Sequence, residues 1–370
     1  MRIVFFYHSL VSDWNHGNAH FLRGVAGELL ARGHDVRIYE PADAWSVRCL
    51  LKEHPAALDD FQAAYPRLRS LRYDPATLDL DVALDGADLV LVHEWNEHDL
   101  VARIGRHRAR TRRYRLLFHD THHRAVTDRR AMDAYDLRDY DGVLAFGQVL
   151  RDLYQDAGWT QHAWVWHEAA DTRLFKPMPD VDKLGDVVWI GNWGDEERSA
   201  ELAEYLLTPI WALRLRATVY GVRYPERARL ALSAASIAYR GWLPNYCAPE
   251  VFARYRATVH VPRRPYARVL PGIPTIRPFE AMACGIPLVS APWEDSEGLF
   301  RAGEDYLVAG NGNQMQAHLA NLMADADLRH SLAANGLATI RARHTCAHRV
   351  DELLAIHAEL IGKARRRASA

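Results

Sequence analysis

Short apolar segments that alternate with helical segments are the feature of this sequence that most limits its fold. Ile3–Tyr7 predicts a buried strand, and Asp35–Tyr39 predicts the next one. Between them, Ala19–Arg32 predicts a helix that ends at Gly33. The same alternation continues through apolar segments at residues 87–92, 114–118 and 142–145. Because strands joined through helices form parallel sheets covered on both faces, the sequence predicts an α/β fold.

A second series of the same kind follows a charged, proline-containing segment, Lys176–Gly185, which predicts a linker. The strands predicted after it lie at residues 186–190, 216–220, 237–239, 258–261 and 287–290. A chain of 370 residues is also longer than one hydrophobic core usually supports. We therefore expect two doubly wound domains with a cleft between them, and ligands beyond the carboxyl ends of their strands.

Charge and cysteine content limit the classes of function. The 46 Lys and Arg residues nearly balance the 47 Asp and Glu residues, which predicts no nucleic-acid partner. The four cysteines are far apart and form no CxxC motif, so we expect a reducing compartment, the cytoplasm. The apolar start Ile3–Tyr7 is too short for a signal-peptide core. The basic segment Lys363–Arg367 predicts a solvated helix end with at most peripheral membrane contact.

The segment Gly272–Ser290 is the most informative one for function. A loop that contains Gly272, Pro274 and Thr275 leads into a helix at about Arg277. The first turn of a helix exposes unpaired N–H groups, which suit an anion such as a diphosphate. Glu280 lies one turn further, where its carboxylate can accept hydrogen bonds from two neighbouring hydroxyls of a ribose. The segment therefore predicts a nucleotide site.

The second part of this segment, Phe279–Ser290, resembles the nucleotide-sugar signature of GT-B glycosyltransferases of group 1, the family 4-like kind. Arg277–Glu280 is closest to the CgeB-like (spore maturation) branch. The resemblance implies a GT-B fold, two Rossmann-like domains that face a cleft, and it assigns Glu280 to the donor ribose. The wider family often has a second glutamate where this chain has Gly272, so recognition of the sugar must differ.

The resemblance also divides the chain. It implies an acceptor-side domain at residues 1–178, a nucleotide-sugar domain at 185–345, and a helix at 346–370 that crosses back to the first domain. In the second domain, Gly191 and Arg198 resemble the glycine turn and the basic residue that neutralise the diphosphate. Trp242 lies in a loop that resembles the one framing the base, although a core position fits it equally well. Two further candidates for phosphate contacts precede the signature: Arg263 and Arg264.

Candidate catalytic residues of the first half lie in loops that follow predicted strands. The loop after the first strand contains Asp13, His16 and Gly17. It matches in place the family's glycine-containing loop that contacts diphosphate and acceptor, and Gly17 would let the backbone approach a ligand closely. A second loop, His93–His98, follows another strand and adds further candidate side chains.

The third loop, His119–Arg124, carries three histidines and an aspartate. In group 1 enzymes a histidine of the N-terminal domain contacts the transferred sugar, and His119 is the closest positional match, followed by His122. Asp120 could orient the imidazole or accept the proton of the acceptor. The same side chains could instead hold a metal ion. We expect no metal, because GT-B enzymes generally neutralise the leaving diphosphate with protein groups.

The residues and the resemblance together predict transfer of a sugar from a nucleoside diphosphate sugar to an acceptor hydroxyl. Retention of anomeric configuration is implied by the resemblance alone, and no cofactor is expected beyond the donor substrate. The acceptor stays open among a glycan, a lipid, a protein and a small molecule. A nucleotide-sugar epimerase or hydrolase on the same fold is the alternative enzyme. A degenerate, non-catalytic GT-B binding protein is the other alternative, against which Arg198, Arg277 and Glu280 argue.

Overall fold

The computed structural model describes the backbone of residues 1–369 and the side chains of residues 1–363. Contacts divide the chain into two compact units: Met1–Glu168 together with the segment that starts at Cys346, and Ala169–Thr345. The first boundary therefore comes before residue 178, and the expected linker Lys176–Gly185 lies inside the second unit. The basic residues expected at the chain end, Arg365–Arg367, lie outside the side chains that are described.

The sheet of the first unit is parallel throughout its described pairings. Its strands are β1 (Arg2–Phe6), β2 (Asp35–Pro41), β3 (Ser70–Tyr73), β4 (Leu89–His93), β5 (Arg115–Asp120), β6 (Gly142–Ala145) and β7 (Ala163–Val165). They lie in the order β3-β2-β1-β4-β5-β6-β7. In the middle of the sheet, Ile3 pairs with Val36 on one side and with Leu89 on the other. These central strands are buried on both faces, which is why they read as continuous apolar segments.

Helices cover this first sheet. They are α1 (Ala19–Ala31), α2 (Trp45–Glu53), α3 (Ala57–Ala64), α4 (Leu80–Ala83), α5 (His98–Thr111), α6 (Arg124–Thr127), α7 (Arg129–Asp133), α8 (Gln148–Asp156) and the C-terminal α17 (Cys346–Ser369). The helix α17 packs against α1. An ion pair of 2.5 Å between Arg32 and Asp351 joins the two helices at the surface. The buried Trp166 indole donates to the carbonyl of Arg349 at 2.8 Å, which fixes α17 to the unit from the other side.

The second unit repeats the architecture. Its strands are β8 (Gly185–Ile190), β9 (Ala217–Tyr220), β10 (Ala238–Tyr239), β11 (Tyr255–His260), β12 (Leu288–Ser290) and β13 (Leu307–Val308). They form a parallel sheet in the order β10-β9-β8-β11-β12-β13. Val187 of β8 pairs with Ala217 and with Ala257, and all three belong to one buried apolar cluster. The core of this unit therefore lies around β8.

The helices of the second unit include several short ones. They are α9 (Ser199–Leu202), α10 (Thr208–Leu213), α11 (Glu226–Ala234), α12 (Ala248–Ala253), α13 (Arg264–Arg268), α14 (Ile276–Ala283), α15 (Gly312–Ala324) and α16 (Ala326–Arg343). A π-helical turn, Ala203–Leu207, joins α9 to α10, and a 3-10 turn, Asn245–Cys247, precedes α12. Within the described part of the chain, no helix is both long enough and apolar enough to cross a membrane.

Each sheet changes its direction of growth beside its first strand. In the first unit β1 lies between β2 and β4, and in the second unit β8 lies between β9 and β11. The loops that follow such neighbouring strands diverge, and the crevice they leave is where ligands bind in open α/β sheets. The predicted fold, two Rossmann-like parallel-sheet units, is confirmed.

Candidate functional site

The loop after β8 begins the candidate site of the second unit. A Cβ atom on Gly221 would lie 2.0 Å from the carbonyl oxygen of Gly191, so the two loops after β8 and β9 touch through their backbones. Gly194 has a φ of 92°, and a Cβ there would lie 2.9 Å from Nε of Arg198. Only glycine fits such a position, because the left-handed backbone and the nearby side chain both exclude a Cβ. The glycine turn expected from the sequence therefore makes room for Arg198.

Arg198 joins the two loops that meet at the switch point. Its Nη1 donates to the carbonyl of Val261 after β11 at 2.8 Å, and its Nη2 donates to the carbonyl of Asn192 after β8 at 2.6 Å. The guanidinium also lies 5.0 Å from the centre of the Trp189 ring. Its Nε is buried and makes no hydrogen bond. Since carbonyl groups are neutral, these two bonds hold the guanidinium in place without neutralising its positive charge.

Other positive groups surround Arg198. Burial, and then the charge of Arg263, lower the pKa of Arg198. Burial, followed by the charges of Arg198 and Arg277, lowers the pKa of His260 to about 3. These effects require the three guanidinium groups to lie close to one another, since charge interactions weaken with distance. The carboxyl ends of β8 and β11 therefore carry a concentration of positive charge.

The two arginines that follow β11 differ from Arg198. Arg263 forms an ion pair with Glu197 at 2.9 Å, and Arg264 forms one with Glu201 at 3.1 Å. Both therefore already have a carboxylate partner within the unit. Of the three arginines proposed from the sequence for this region, Arg198 is the one held by neutral groups.

The N-terminus of α14 is strained. Its N-cap residue, Thr275, has a φ of 62° and a ψ of −175°, a conformation that is almost restricted to glycine, and its side chain makes no capping hydrogen bond. Backbone strain of this kind costs on the order of 1–3 kcal/mol and clusters at ligand sites. The first N–H groups of the helix lack intrahelical partners, and together with the helix dipole they favour an anion.

Glu280 lies in the same helix and is fully buried. One carboxylate oxygen binds Arg277 and the other accepts a hydrogen bond of 2.7 Å from the side-chain amide of Asn245. Asn245 begins the 3-10 turn after the loop that holds the half-buried Trp242. The structure thus connects the expected ribose-binding residue with the loop expected near the base. Asn245 carries no motif that would have drawn attention to it in the sequence.

In the first unit, the predicted residues at the end of β5 lie in the interior. His119 is fully buried; its Nδ1 bonds the Tyr7 hydroxyl at 2.5 Å, and its ring packs 4.8 Å from that of Trp166. Asp120 is also fully buried and accepts from the Tyr154 hydroxyl at 2.8 Å and from the N–H of His122 at 2.9 Å. Burial raises the pKa of Asp120 to about 6. Of the three residues proposed in this loop, His122 is the one that is only partly buried.

The loop after β1 is held by a buried ion pair. Asp13 binds Arg23 at 2.8 Å, and the Arg23 side chain, which has no exposed surface, also donates to the carbonyls of Leu10 and Val11. Asp13 therefore balances a buried charge that shapes this loop. Gly17 is exposed, and the left-handed residue of the loop is Asn15, with a φ of 52°.

His16, the remaining candidate of this loop, belongs to a cluster of imidazoles. Its ring centre lies 5.2 Å from that of His8 and 6.3 Å from that of His93, and His93 lies 5.6 Å from His119. Burial lowers the pKa of all four, that of His8 to about 4. They are therefore neutral at pH 7. The side chains make few bonds: His16 Nε2, His93 Nδ1 and His119 Nε2 are buried without a hydrogen bond.

The loop after β4 contains candidate side chains to which the sequence assigned no specific role. The buried carboxylate of Glu94 forms an ion pair with Arg124, which opposes the rise in the pKa of Glu94 that burial causes. The Arg124 guanidinium lies 4.4 Å from the centre of the Trp95 ring, whose side chain is 38% exposed. In the sequence, the signal for a functional role of this loop was a tryptophan, Trp95, next to Glu94 directly after a buried strand.

A metal site was the alternative for the histidine-rich loop. Among the described residues, no group of three or more His, Cys, Asp and Glu side chains is arranged to hold a metal ion. In this loop the side chains of His119 and Asp120 are directed to Tyr7 and Tyr154 instead.

Comparisons with known proteins agree with the fold, and one of them matches most of the second unit. Residues 198–355 match a family model described as Glycosyl transferase-like. The structure is similar to that of sucrose-phosphate synthase from Thermosynechococcus elongatus, with a TM-score of 0.66, 14% identity, and coverage of 98% of this chain and 99% of the other. It is similar to Anabaena HepE in complex with UDP and glucose, with a TM-score of 0.66, 15% identity, and coverage of 96% and 99%.

A third similar structure is an alpha-glucosyltransferase in complex with UDP and a 13-mer DNA that contains an HMU base. Its TM-score is 0.65 and its identity 12%, over 97% of this chain and 99% of the other. The expectation that nucleic acid is excluded as a partner is therefore not supported. No curated protein matches the sequence.

The fold and the matching region define the class of this protein: it is a glycosyltransferase with the GT-B fold. The resemblance to group 1 enzymes of this fold agrees with these findings, whereas they do not single out the CgeB-like branch.

Proposed function

We propose that this enzyme transfers a sugar from a nucleoside diphosphate sugar to the hydroxyl of an acceptor. The observation that carries the proposal is the guanidinium of Arg198, held by two neutral carbonyls at the carboxyl ends of β8 and β11. The open N-terminus of α14 adds unpaired N–H groups, and Arg263 and Arg277, although paired with Glu197 and Glu280, lie near enough to Arg198 to act on its charge. A diphosphate is an anion that suits such a set of donors.

In the reaction, the bond between the anomeric carbon and the diphosphate breaks, and its electron pair leaves with the diphosphate. The acceptor oxygen forms the new bond to the anomeric carbon and gives its proton to a base, a role for which His122 is proposed below. Arg198 and the α14 N-terminus would stabilise the negative charge that develops on the leaving group, which is the electrostatic contribution that enzymes most often use. Since these protein groups supply positive charge, we propose a reaction without a resident metal ion or cofactor.

Glu280 is proposed to bind the donor ribose through its carboxylate. The contacts with Arg277 and Asn245 support this role, because they hold both oxygens in one position before a ligand arrives. The strained Thr275 supports a ligand at the same helix end. Gly191 and Trp242 are proposed to lie beside the donor, as the sequence resemblance implies. The same resemblance, through Arg277–Glu280, is our reason to favour the CgeB-like branch.

For the first unit, we propose that His122 acts on the acceptor, because it is the partly exposed imidazole of the candidate loop. His119 and Asp120, buried at the end of β5, would then position that loop, in part through the bond from the His122 N–H to Asp120. We propose the same positioning role for Asp13, which holds the loop that contains His16. Retention of configuration and a cytoplasmic location are proposals that rest on the resemblance and on the scattered cysteines.

Thermal unfolding of the full chain with UDP, GDP, ADP, dTDP and CDP tests the proposal. A ligand at 100 times its dissociation constant stabilises a protein by about 2.7 kcal/mol, so the preferred nucleotide should raise the melting temperature clearly. Arg198→Ala should lose most of this stabilisation. Arg229→Ala, which removes an exposed arginine of the same unit, should keep it. If none of these nucleotides stabilises the wild-type chain, the proposed donor class is wrong.

A further inference from the structure

A row of aromatic rings lies at the carboxyl edge of the first sheet. It consists of Trp45, His8, Trp95 and His122, and we call it the aromatic row. Neighbouring ring centres are 5.6, 6.4 and 5.1 Å apart in that order. Trp95 is 38% exposed, and Trp45 and His122 are half-buried. Trp45 follows β2, and His8, Trp95 and His122 follow β1, β4 and β5, so the row extends across the switch point of this unit.

The exposed Trp95 ring is held rigidly. Arg124 lies against it, and Arg124 is itself fixed by the buried Glu94 and by the Tyr135 hydroxyl at 3.2 Å. The next residue, Asn96, donates to the carbonyl of Phe6 and so ties the loop to β1. A large aromatic side chain that is kept exposed in one orientation is a typical feature of a binding surface, because little entropy is lost when a ligand stacks on it.

The imidazoles at and next to the row are neutral. Burial keeps His8, His16 and His93 uncharged at pH 7, and a neutral imidazole offers one donor and one acceptor. In His8, Nε2 bonds the Ser46 hydroxyl at 2.9 Å, so Nδ1 is the atom that a ligand could bond. His16 Nε2 and His93 Nδ1 have no hydrogen-bond partner. Buried polar atoms without partners are rare in folded proteins, so a ligand or water is expected to bond His16, which keeps 7% of its surface exposed, whereas His93 has no exposed surface. Hydroxyl groups suit these atoms, since a hydroxyl both donates and accepts.

An anionic ligand suits the row less well. Nucleic acids and phosphorylated acceptors are bound mainly through Lys and Arg contacts to phosphate. The guanidinium that lies at the row, Arg124, is already paired with Glu94. Apolar ring faces beside neutral hydrogen-bonding groups instead match a sugar ring, which has an apolar face of C–H groups and hydroxyls around its edge.

We propose that the aromatic row is the acceptor subsite and that the acceptor presents a neutral sugar ring, which stacks on Trp95 with its hydroxyls toward His8 and His16. This inference rests on the proposed function, because it names the acceptor class of the same reaction. It narrows the acceptor from a glycan, lipid, protein or small molecule to a carbohydrate.

Saturation-transfer NMR titrations with the full chain test the subsite. The probes are maltose, cellobiose and chitobiose, compared with a threonine-containing peptide, glycerol 3-phosphate and a short oligothymidylate. We expect at least one disaccharide to bind, Trp95→Ala to weaken that binding by about two- to tenfold, and Trp95→Phe to restore part of it. Trp211→Ala, which removes a tryptophan that is 64% exposed in the second unit, should leave it unchanged.

The subsite is wrong if no disaccharide binds, if Trp95→Ala binds as well as the wild type does, or if only the peptide, the phosphate or the oligothymidylate binds. Nucleotide stabilisation is measured on the same samples, and Trp95→Ala should retain it. Failure of nucleotides to stabilise the wild type while disaccharides bind would overturn the donor proposal and support the sugar subsite. Nucleotide binding without disaccharide binding would overturn the subsite alone.

Discussion

Replacement of Glu280 tests the donor site through a single side chain. Its carboxylate has no exposed surface and is held by Arg277 and by Asn245 at 2.7 Å. A hydrogen bond to a charged group contributes about 1.5–3 kcal/mol, and each 1.4 kcal/mol changes a dissociation constant tenfold. If ribose hydroxyls donate to this carboxylate, Glu280→Ala should weaken nucleoside diphosphate binding by about ten- to a hundredfold.

The same substitution also affects the stability of the second unit, because it leaves Arg277 and Asn245 without their common partner. An unsatisfied buried donor costs about 1–3 kcal/mol, so the free energy of unfolding should fall by about that amount. Glu280→Gln keeps the shape and one acceptor oxygen, and should lie between the wild type and Glu280→Ala in both measurements. Glu250 is the matched control: it pairs with Arg254 at 2.7 Å within a helix, but on the exposed surface.

Isothermal titration calorimetry with the nucleotide that stabilises the chain most gives the dissociation constants, and urea unfolding gives the stability of each variant. Glu250→Ala should keep wild-type affinity. The decisive result is the affinity of Glu280→Ala under conditions where urea unfolding shows it to be folded. Wild-type affinity in that variant would mean that Glu280 has only a structural role and that the ribose lies elsewhere.

Two further predictions concern stability. Gly221→Ala places a Cβ 2.0 Å from the carbonyl oxygen of Gly191 and should lower both the urea midpoint and the nucleotide affinity. The control is Gly33→Ala, at a position with a φ of 83° and nothing within 4 Å, which should lower stability less and leave the affinity unchanged. Equal losses of stability in the two variants would contradict the backbone contact. Folding lowers the pKa of His260 from 6.5 to about 3, so the unfolded chain binds a proton at a higher pH than the folded chain does. The contribution of His260 to stability is therefore complete above pH 6.5. Below that pH the free energy of unfolding decreases by up to about 1.4 kcal/mol per pH unit. His260→Gln should therefore flatten the dependence of the urea midpoint on pH between 6.5 and 4, and an unchanged slope would contradict this account.

The alternation of strands and helices was readable from the sequence because it depends on local apolar periodicity. Central strands such as β1 and β4 are buried on both faces and appear as continuous apolar segments. Strand β3 was missed because it lies at a sheet edge and two of its four residues are exposed, so it lacks that signal. The short strands β7 and β13, with partly buried residues, were missed for the same reason.

The position of the second site was also readable, because the segment around Arg277 and Glu280 combines a loop, a helix start and a signature that lie close together in the sequence. The tertiary structure added the contacts that the site makes with residues far away in the sequence. Asn245 reaches Glu280 across 35 positions, and Arg198 reaches Val261 across 63. Contacts over such separations depend on strand order, which no local pattern contains.

The structure shows which candidate residues of the first unit are buried and which are accessible, and their positions in the sequence did not predict this difference. His119, Asp120 and His122 lie within four positions of one another, yet the first two end β5 and are fully buried, whereas the third follows the strand and is partly exposed. Asp13 is an acid that could act in catalysis, but its carboxylate is held in a buried ion pair with Arg23. The sequence alone determined the fold class, the two parallel sheets and the helix at which we propose the donor site, because these follow from local patterns of apolar, glycine and charged residues. The tertiary structure decided which of the polar side chains remain accessible, because accessibility depends on what the rest of the chain packs against them.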